Sequence, residues 1–305
     1  MSNFIVTTTI NPITKAIELY QEMKEWNLIV VGDLKTPKNY KLKRGIYLSP
    51  NDQEKIDKKL SNLIGWNCIQ RRNFGFILAK KLGAKIIATI DDDNIPLKNW
   101  GKNLLIGTTV LADEYQCKNK VFDPLSPTNH KNLWHRGYPL QIIKSKNEIK
   151  KVGKKKINPD IQADFWNIDP DVDAIQRLLY NTNSKFNNKY FPFFSKKISP
   201  FNSQNTFLKA DLIKNYFMFP HIGRMDDIWG AYYLLSKKFK VIYNKPTVNQ
   251  KRNVHDYTID FKNETLGYLN NMDLINSLEN NPENIKKFIP EKSYKAFKQY
   301  QKNFK

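Results

Sequence analysis

The chain has 305 residues, of which 40% are hydrophobic and 26% are charged, with only 12 glycines and 15 prolines. This composition excludes a fully disordered, collagenous or low-complexity chain and supplies enough apolar residues for a sizeable core. Lysine and arginine number 50 against 29 acidic residues, a formal net charge of +21, which favours an anionic partner such as nucleic acid, an acidic membrane surface or a phosphorylated ligand.

The first hundred residues alternate strand and helix patterns. Strands are predicted over 4–10, 27–31, 47–48 and 85–90, and helices over 14–26, 52–63 and 73–82. Strands separated by helices of this length predict an α/β fold, with a parallel sheet that carries helices on both faces.

The middle of the chain is less regular. Five prolines between residues 118 and 170 and a lysine-rich run over 144–156 predict long loops. Helices are predicted again over 206–216 and 227–235. A polar segment is predicted after Lys245 and Pro246, and 271–305 is predicted to be mainly helical.

Cysteine usage and the N-terminal sequence favour the cytoplasm. Cys68 and Cys117 are too few for a disulfide framework, which indicates a reducing compartment. The opening residues, MSNFIVTTTINPIT, lack the basic and then apolar order of a signal peptide. No stretch approaches the roughly 18 apolar residues of a membrane span, so we expect any membrane contact to be peripheral.

Three consecutive carboxylates, Asp91, Asp92 and Asp93, follow the strand predicted over 85–90. Ligand sites in open α/β sheets lie at the carboxyl ends of strands, and adjacent carboxylates repel one another unless a cation compensates them. Mg²⁺ and Mn²⁺ prefer oxygen ligands and bridge carboxylates to phosphates. The triad therefore predicts a metal–diphosphate site, with a solvated acidic turn as the simpler alternative.

Two arginine motifs are candidates for anion binding. Arg71, Arg72 and Asn73 open a predicted helix, where guanidinium groups and free backbone amides suit phosphate; two ordinary surface arginines explain this motif equally well. Gly75 would let a ligand or a strand approach closely. Arg136 lies in the motif WHRGYP, whose aromatic residues could hold it against a phosphate or sugar, although a lone arginine in such a loop is more often structural.

Further acids and one histidine complete the candidate set. Asp226 and Asp227 open an amphipathic helix, where capping is the default explanation and a general base for an acceptor hydroxyl is the alternative. Asp173 either caps a helix or contacts sugar hydroxyls. His255 could complete a metal site, although a lone histidine is more often a surface or packing residue.

Taken together and in order, these segments resemble the nucleotide-diphospho-sugar transferase (GT-A) fold. More narrowly, they resemble the STELLO-like glycosyltransferases and the related reversibly glycosylated polypeptides (UDP-arabinopyranose mutases). The resembling segments, between residue 5 and about 235, are IVTTTINP, LIVVGDLKTP, RRNFGFILAKKLGAKIIATIDDDN, HRGYPLQ, DPDVDAIQRL, FNSQNTFLKADLI and GRMDDIWGAYYLL. The resemblance implies a mostly parallel central sheet flanked by helices. It also implies metal-dependent sugar transfer from a UDP-sugar or related donor to a glycan or lipid-linked acceptor, as in polysaccharide biosynthesis.

The resemblance also implies roles for individual residues. Nucleotide-sugar binding is assigned to Thr7, Thr8, Asp33, Arg72, Asn73, Asp91, Asp92, Arg136 and Asp173. Binding of Mn²⁺ or Mg²⁺ is assigned to the D-x-D pair Asp91 and Asp93 and, from general GT-A architecture, to His255. Catalysis is assigned to Asp226, Asp227 and Arg136, with Asp227 as the base if the reaction inverts the anomeric centre.

The implied organisation is a glycosyltransferase domain over 1–245 and a basic, mainly helical extension over 246–305. The domain divides into a nucleotide-binding half over 1–95 and an acceptor and catalytic half over 96–245. Asn94 stands where the mutases usually have cysteine, which favours the transferases, and the mutases lack a tail of this kind.

Two other functions stay open from the residues alone. In a sugar mutase, Arg136 would itself carry the sugar. In a nucleic-acid-binding protein, the lysines and aromatic residues of 286–300 would contact phosphates and stack on bases, but no recognised nucleic-acid motif occurs and this partner is disfavoured. The tail and the 144–156 run could instead hold the protein on an anionic membrane, and a solvated surface explains both runs without a partner.

Overall fold

The computed structural model describes residues 2–251 and 256–304, and a mixed sheet of eleven strands forms the centre of this part of the chain. The strands are β1 (Asn3–Thr8), β2 (Trp26–Val31), β3 (Ile46–Leu48), β4 (Ile86–Ile90), β5 (Asn94–Pro96), β6 (Val110–Cys117), β7 (Ile149–Ile157), β8 (Ile161–Ile168), β9 (Phe193–Phe194), β10 (Asn205–Lys209) and β11 (Val241–Gln250). Their order across the sheet is β3-β2-β1-β4-β10-β8-β11-β9-β6-β7, with β5 paired to β11.

Helices flank this sheet. They are α1 (Lys15–Tyr20), α2 (Pro50–Ile64), α3 (Arg72–Lys81), α4 (Ala174–Leu179), α5 (Asp226–Ser236), α6 (Tyr257–Asn280) and α7 (Glu291–Lys302). Short 3₁₀ helices at Ile69–Arg71 and Gly223–Met225 lead into α3 and α5. The predicted α/β class, with the large central sheet and flanking helices expected of the GT-A fold, is confirmed. None of the described helices combines the length and apolarity needed to cross a bilayer.

The first four strands of the sheet determine where the site lies. β1 runs parallel to β2 and β4, and β2 runs parallel to β3, so the carboxyl ends of these strands meet at one edge. Their side chains are almost continuously buried, as expected of strands covered on both faces. α3 packs on β1 and β2, and Gly75 permits this approach because a Cβ there would overlap Cγ1 of Val6.

The helix predicted over 206–216 is wrong. Its first part is β10, which lies between β4 and β8 and pairs antiparallel with both, and a 3₁₀ helix follows at Ala210–Asn215. A short apolar run buried in the middle of a sheet has the same pattern as a buried helix, so periodicity alone could not separate them.

The loop predicted for the lysine-rich run is wrong as well. β7 contains most of these lysines, and it lies at the end of the sheet, where it pairs antiparallel with β6. Lysine is uncommon in central strands but common on edge strands, where its charge discourages pairing with another chain. The composition of the run therefore predicts a loop, although the run belongs to an edge strand.

The C-terminal part of the chain is built into the same core. β11 continues past Pro246 to Gln250, where the sequence predicts a polar segment, with a shift of register between Asn244 and Val248. The side chains of Phe297 and Tyr300 on α7 are fully buried and belong to the main hydrophobic cluster. The strand β11 thus crosses the predicted division at residue 245.

Candidate active site

Two cavities lie at the edge of the sheet where β1, β2 and β4 end. The first, here called the acidic cavity, has a volume of about 210 Å³ and is lined by Asp91, Asp93, Arg136, Arg224, Asp226 and Asp227, among others. The second, here called the β1 cavity, has a volume of about 200 Å³ and is lined by Thr8, Asp33, Asn67, Cys68, Arg71 and Asp92, among others. The side chain of Ile69 lines both.

The acidic cavity gathers residues that are far apart in the sequence. Asp91 and Asp93 follow β4, Asp226 and Asp227 form the first turn of α5, and Arg136 comes from a loop between β6 and β7. The parallel strands explain part of this arrangement, because they deliver their following residues to one edge. Five residues that the sequence selects for metal binding and catalysis therefore share one cavity.

Arg72 holds Asp91 in place. Its Nη2 donates to Oδ1 of Asp91 at 2.7 Å and to Oγ1 of Thr8 at 3.2 Å, and its Nη1 donates to the carbonyl oxygen of Ser203 at 2.9 Å. The guanidinium group is buried and lines neither cavity. Burial raises the pKa of the Asp91 carboxyl, and the charge of Arg72 opposes that rise.

Arg136 is fixed by two carboxylates. Its Nε and Nη2 donate to the two carboxylate oxygens of Asp171 at 2.8 and 2.9 Å, and Nη2 also lies 3.1 Å from Oδ1 of Asp227. Its Nη1 donates to the carbonyl oxygen of Arg224. Burial alone would lower the pKa of Arg136, but Asp171 and Asp227 outweigh this effect and raise it, so the guanidinium stays charged.

Asp226 and Asp227 are adjacent but differ in their partners. Oδ2 of Asp227 accepts hydrogen bonds from the backbone N–H and the hydroxyl of Ser203 at 2.8 and 3.0 Å, in addition to the contact with Arg136. Oδ2 of Asp226 accepts from Nε2 of Gln70 at 2.7 Å. Burial and the neighbouring charge of Asp227 raise the pKa of Asp226 to about 7. The Asp226 carboxyl can therefore exchange a proton near neutral pH.

The donor set fits a hard divalent cation. Four carboxylates and two guanidinium groups line the acidic cavity, and Arg224 is already paired with Asp260 and Glu264. Within residues 2–251 and 256–304, no group of three or more histidine, cysteine or acidic side chains forms a metal site by itself. Mg²⁺ commonly uses one or two carboxylates and takes the remaining oxygens from water and phosphate, and Asp91 and Asp93 would supply the two carboxylates.

Two aspartates, Asp33 and Asp92, lie in the wall of the β1 cavity. The carboxylate of Asp33 accepts from the backbone N–H groups of Leu34 at 2.7 Å, Asn67 at 2.8 Å and Cys68 at 3.0 Å. Asp92 faces this cavity, because its Oδ2 accepts from Oγ1 of Thr9 and from Nδ2 of Asn11. Asp91 and Asp93 thus line the acidic cavity, whereas Asp92 lines the β1 cavity.

Four of the described residues selected from the sequence line neither cavity: Thr7, Arg72, Asn73 and Asp173. Thr7, Arg72 and Asn73 are buried. Asp173 caps the start of α4, where its Oδ1 accepts from the backbone N–H of Gln176 at 3.0 Å, and burial raises its pKa to about 7. His255 lies outside the described residues. The binding, metal and catalytic roles assigned from the sequence all stay predictions.

Four further residues of the site were not selected from the sequence: Gln70, Asp171, Ser203 and Arg224. All lie inside or next to the segments that carry the resemblance. Asp171 stands two residues before Asp173 in the DPDVD motif, and only the pairing of its segment with that of Arg136 distinguishes it. A signal was therefore present, but the sequence alone could not say which acid faces Arg136.

Comparisons with known proteins agree with the motifs. No protein-family model matches the chain. The chain is similar to "Probable glycosyltransferase STELLO2" of Arabidopsis thaliana, with 25% identity over 279 residues that cover 83% of this chain and 36% of the relative. It is also similar to "Probable glycosyltransferase STELLO1" of the same plant, with 25% identity over 223 residues that cover 66% of this chain and 28% of the relative. The chain thus spans about a third of the length of these curated relatives, neither of which is named as a mutase. The predicted similarity to the STELLO-like glycosyltransferases is therefore confirmed.

Proposed function

We propose that the protein is a glycosyltransferase that takes a sugar from a nucleotide-diphospho-sugar, in the first instance a UDP-sugar, and transfers it to a glycan or lipid-linked acceptor. The observation that carries this proposal is the convergence of Asp91, Asp93, Arg136, Asp226 and Asp227 on the acidic cavity. The similarity to proteins named as glycosyltransferases supports the same class of reaction.

In this proposal the donor spans both cavities. The nucleoside would occupy the β1 cavity, whose lining includes the polar side chains of Thr8, Asn11 and Asp33. The diphosphate and the sugar would occupy the acidic cavity, which shares the wall formed by Ile69. Arg136, whose charge is balanced by Asp171 and Asp227, would donate a hydrogen bond from Nη1 to an oxygen of the leaving diphosphate.

Asp91 and Asp93 would hold a Mg²⁺ or Mn²⁺ ion, which when bound supplies neutralising charge to the diphosphate. Arg72 keeps Asp91 in one orientation through the 2.7 Å hydrogen bond, so this ligand would be preorganised. Asp92, which faces the other cavity, would contact the nucleoside side of the donor.

The sequence favours Asp227 as the base for transfer with inversion. We propose Asp226 instead. Both oxygens of Asp227 are engaged by Arg136 and Ser203, so Asp227 would orient Arg136. A carboxyl with a pKa of about 7 is better suited to accept a proton from an acceptor hydroxyl at neutral pH. In a retaining reaction, both aspartates would position the acceptor.

The function is tested by measuring release of nucleoside diphosphate from a panel of nucleotide-sugars with Mn²⁺, with Mg²⁺ or with a chelator. We expect turnover only with a divalent ion, and a loss of about 100-fold or more in Asp93→Ala, because the charge that stabilises the leaving group is lost. Asp211→Ala, which removes an exposed carboxylate paired with Lys80, is the matched control and should retain turnover. Undiminished metal-dependent turnover in Asp93→Ala would refute the metal assignment, and no turnover with any donor would refute the function.

A further inference from the structure

A third cavity lies at the opposite edge of the sheet from the candidate active site. Its volume is about 840 Å³, and it forms where β7 leads into β8 and where α5 leads into β11. β8 and β11 run in the same direction as β4, because β10 is antiparallel to both β4 and β8 and β11 is parallel to β8. Their amino ends therefore lie away from the carboxylates, and no lining residue is shared with the other two cavities.

Lysines dominate the rim of this cavity, here called the lysine cavity. They are Lys155, Lys156, Lys196, Lys197, Lys238 and Lys240, against the two acids Glu114 and Glu279. Glu114 is buried and pairs with Lys196 at 3.0 Å, and Glu279 pairs with Lys120 at 3.8 Å. In the described part of the chain, the other five lysines of the rim form no ion pair. Several uncompensated positive charges around one concavity attract an anion.

Several of the buried residues that line the lysine cavity are apolar. Ile157 and Phe194 are buried and belong to a small hydrophobic cluster of their own, and Leu235 and Phe239 form another part of the lining. Of the two aromatic rings in the lining, Phe194 is 4% exposed and only Phe239 is partly exposed, whereas single-strand sites stack successive bases on several rings. A charged rim over a partly apolar floor suits a ligand that is itself amphipathic.

We propose that the lysine cavity binds the phosphate headgroup of an anionic lipid. The lysines would contact the phosphate, and the glycerol and first carbons of the lipid would pack toward Phe239. The volume of about 840 Å³ lies within the roughly 300–1,000 Å³ of small-molecule sites. This inference does not depend on the proposed transferase activity, because its residues belong to neither cavity of the active site.

The test is cosedimentation with phosphatidylcholine vesicles that contain about one third phosphatidylglycerol, compared with pure phosphatidylcholine vesicles. The cavity variant is Lys197→Glu/Lys240→Glu. The matched control is Lys286→Glu/Lys287→Glu, which changes the net charge by the same amount at two exposed lysines outside the cavity. We expect binding to the anionic vesicles alone, a loss of about tenfold or more in the cavity variant, and a change within about twofold in the control.

Equal losses in the two variants would overturn the proposal, because they would indicate attraction to the whole basic surface. Wild-type binding that is no stronger to anionic vesicles than to neutral ones would also overturn it. Full displacement of the vesicles by inorganic phosphate would also overturn it, because the cavity would then bind a soluble anion. A preference of the cavity for single-stranded DNA over anionic vesicles would overturn it as well. Circular dichroism like that of the wild type would show that the cavity variant is folded. Donor turnover like that of the wild type would show that loss of vesicle binding is independent of the proposed transferase activity.

Discussion

Asp226 and Asp227 show how two neighbouring side chains of one type acquire different chemistry. Successive residues of a helix point about 100° apart, so the two carboxylates at the start of α5 meet different partners. Asp227 contacts a guanidinium group and Ser203, whereas Asp226 accepts from the neutral amide of Gln70. Burial therefore dominates the pKa of Asp226 and raises it from 3.8 to about 7.

Replacing Asp226 by asparagine should stabilise the protein more at pH 8 than at pH 5. The folded state holds the Asp226 proton more tightly than the unfolded state, so wild-type stability falls as the pH rises from about 4 through about 7. The asparagine side chain would carry no buried charge at either pH. Thermal unfolding at the two pH values measures the difference.

Asp227→Asn is the comparison variant for that experiment. It removes one of the two carboxylates that pair with Arg136, and because Asp171 remains, the cost should be less than the about 3–5 kcal/mol of leaving a buried charge unpaired. We expect this variant to be less stable than the wild type at both pH values. A gain in Asp226→Asn that is the same at pH 5 and pH 8 would show that its carboxyl does not titrate in this range.

α6 supports the segment that leads into the candidate active site. Oε1 of Glu264 accepts from Nε of Arg224 at 2.8 Å, and its Oε2 accepts from the backbone N–H of Ala174 at 2.9 Å. The carbonyl oxygen of Arg224 in turn accepts from Arg136. Gly223 has a φ of 62°, and a Cβ there would overlap the carbonyl oxygen of Asn263. The 3₁₀ helix before α5 therefore packs directly against α6.

Glu264→Ala should therefore destabilise the fold and lower donor turnover, although Glu264 lines neither cavity. Loss of a buried carboxylate that bonds a guanidinium and a helix N-terminus should cost about 3 kcal/mol, measured by urea unfolding. Asp273→Ala removes an exposed acid from the same helix and is the control. A Glu264→Ala protein with wild-type stability and turnover would show that α6 does not support the site.

The helix α7 packs into the main hydrophobic cluster of the protein. α7 lies on α2, where the Oδ2 of Asp57 accepts from Gln299 at 2.8 Å and from Asn303 at 2.9 Å. The hydroxyl of Tyr300 donates to the carbonyl oxygen of Ile213 at 2.9 Å. These contacts join residues more than 80 positions apart in the sequence, so the last helix contributes to the stability of the whole chain.

Phe297→Ala should lower the free energy of unfolding by about 3–5 kcal/mol, because a fully buried ring would leave a cavity between Phe217, Phe219 and Tyr233. Denaturant unfolding measures this loss. Lys292→Ala, an exposed change on the same helix, should shift stability by no more than about 0.5 kcal/mol. A similarly small effect for both variants would mean that α7 is not part of the cooperative unit.

The sequence predicts most elements of the first half of the fold because local signals there agree with the tertiary structure. The helix predicted over 14–26 is wrong in its second half, since α1 ends at Tyr20 and Trp26 begins β2. Thr14 and Ser49 cap α1 and α2, and the parallel strands are short apolar runs. Because the carboxyl ends of parallel strands meet at one edge of the sheet, Asp33 and Asp91 come to the same side. In the second half, β10 and β7 depend on which strands pair with them, and that information is not local. The role of Arg72 likewise depends on Thr8 and Ser203, which only the folded chain brings to it.

Ile69 lines both cavities of the candidate active site and is 40% exposed. It lies on a single 3₁₀ turn, Ile69–Arg71, whose middle residue, Gln70, donates to Oδ2 of Asp226. A ligand that extends from one cavity into the other would therefore contact this turn. Because the same turn carries the hydrogen bond from Gln70 to Asp226, a ligand that moved Ile69 would change the surroundings of the Asp226 carboxyl.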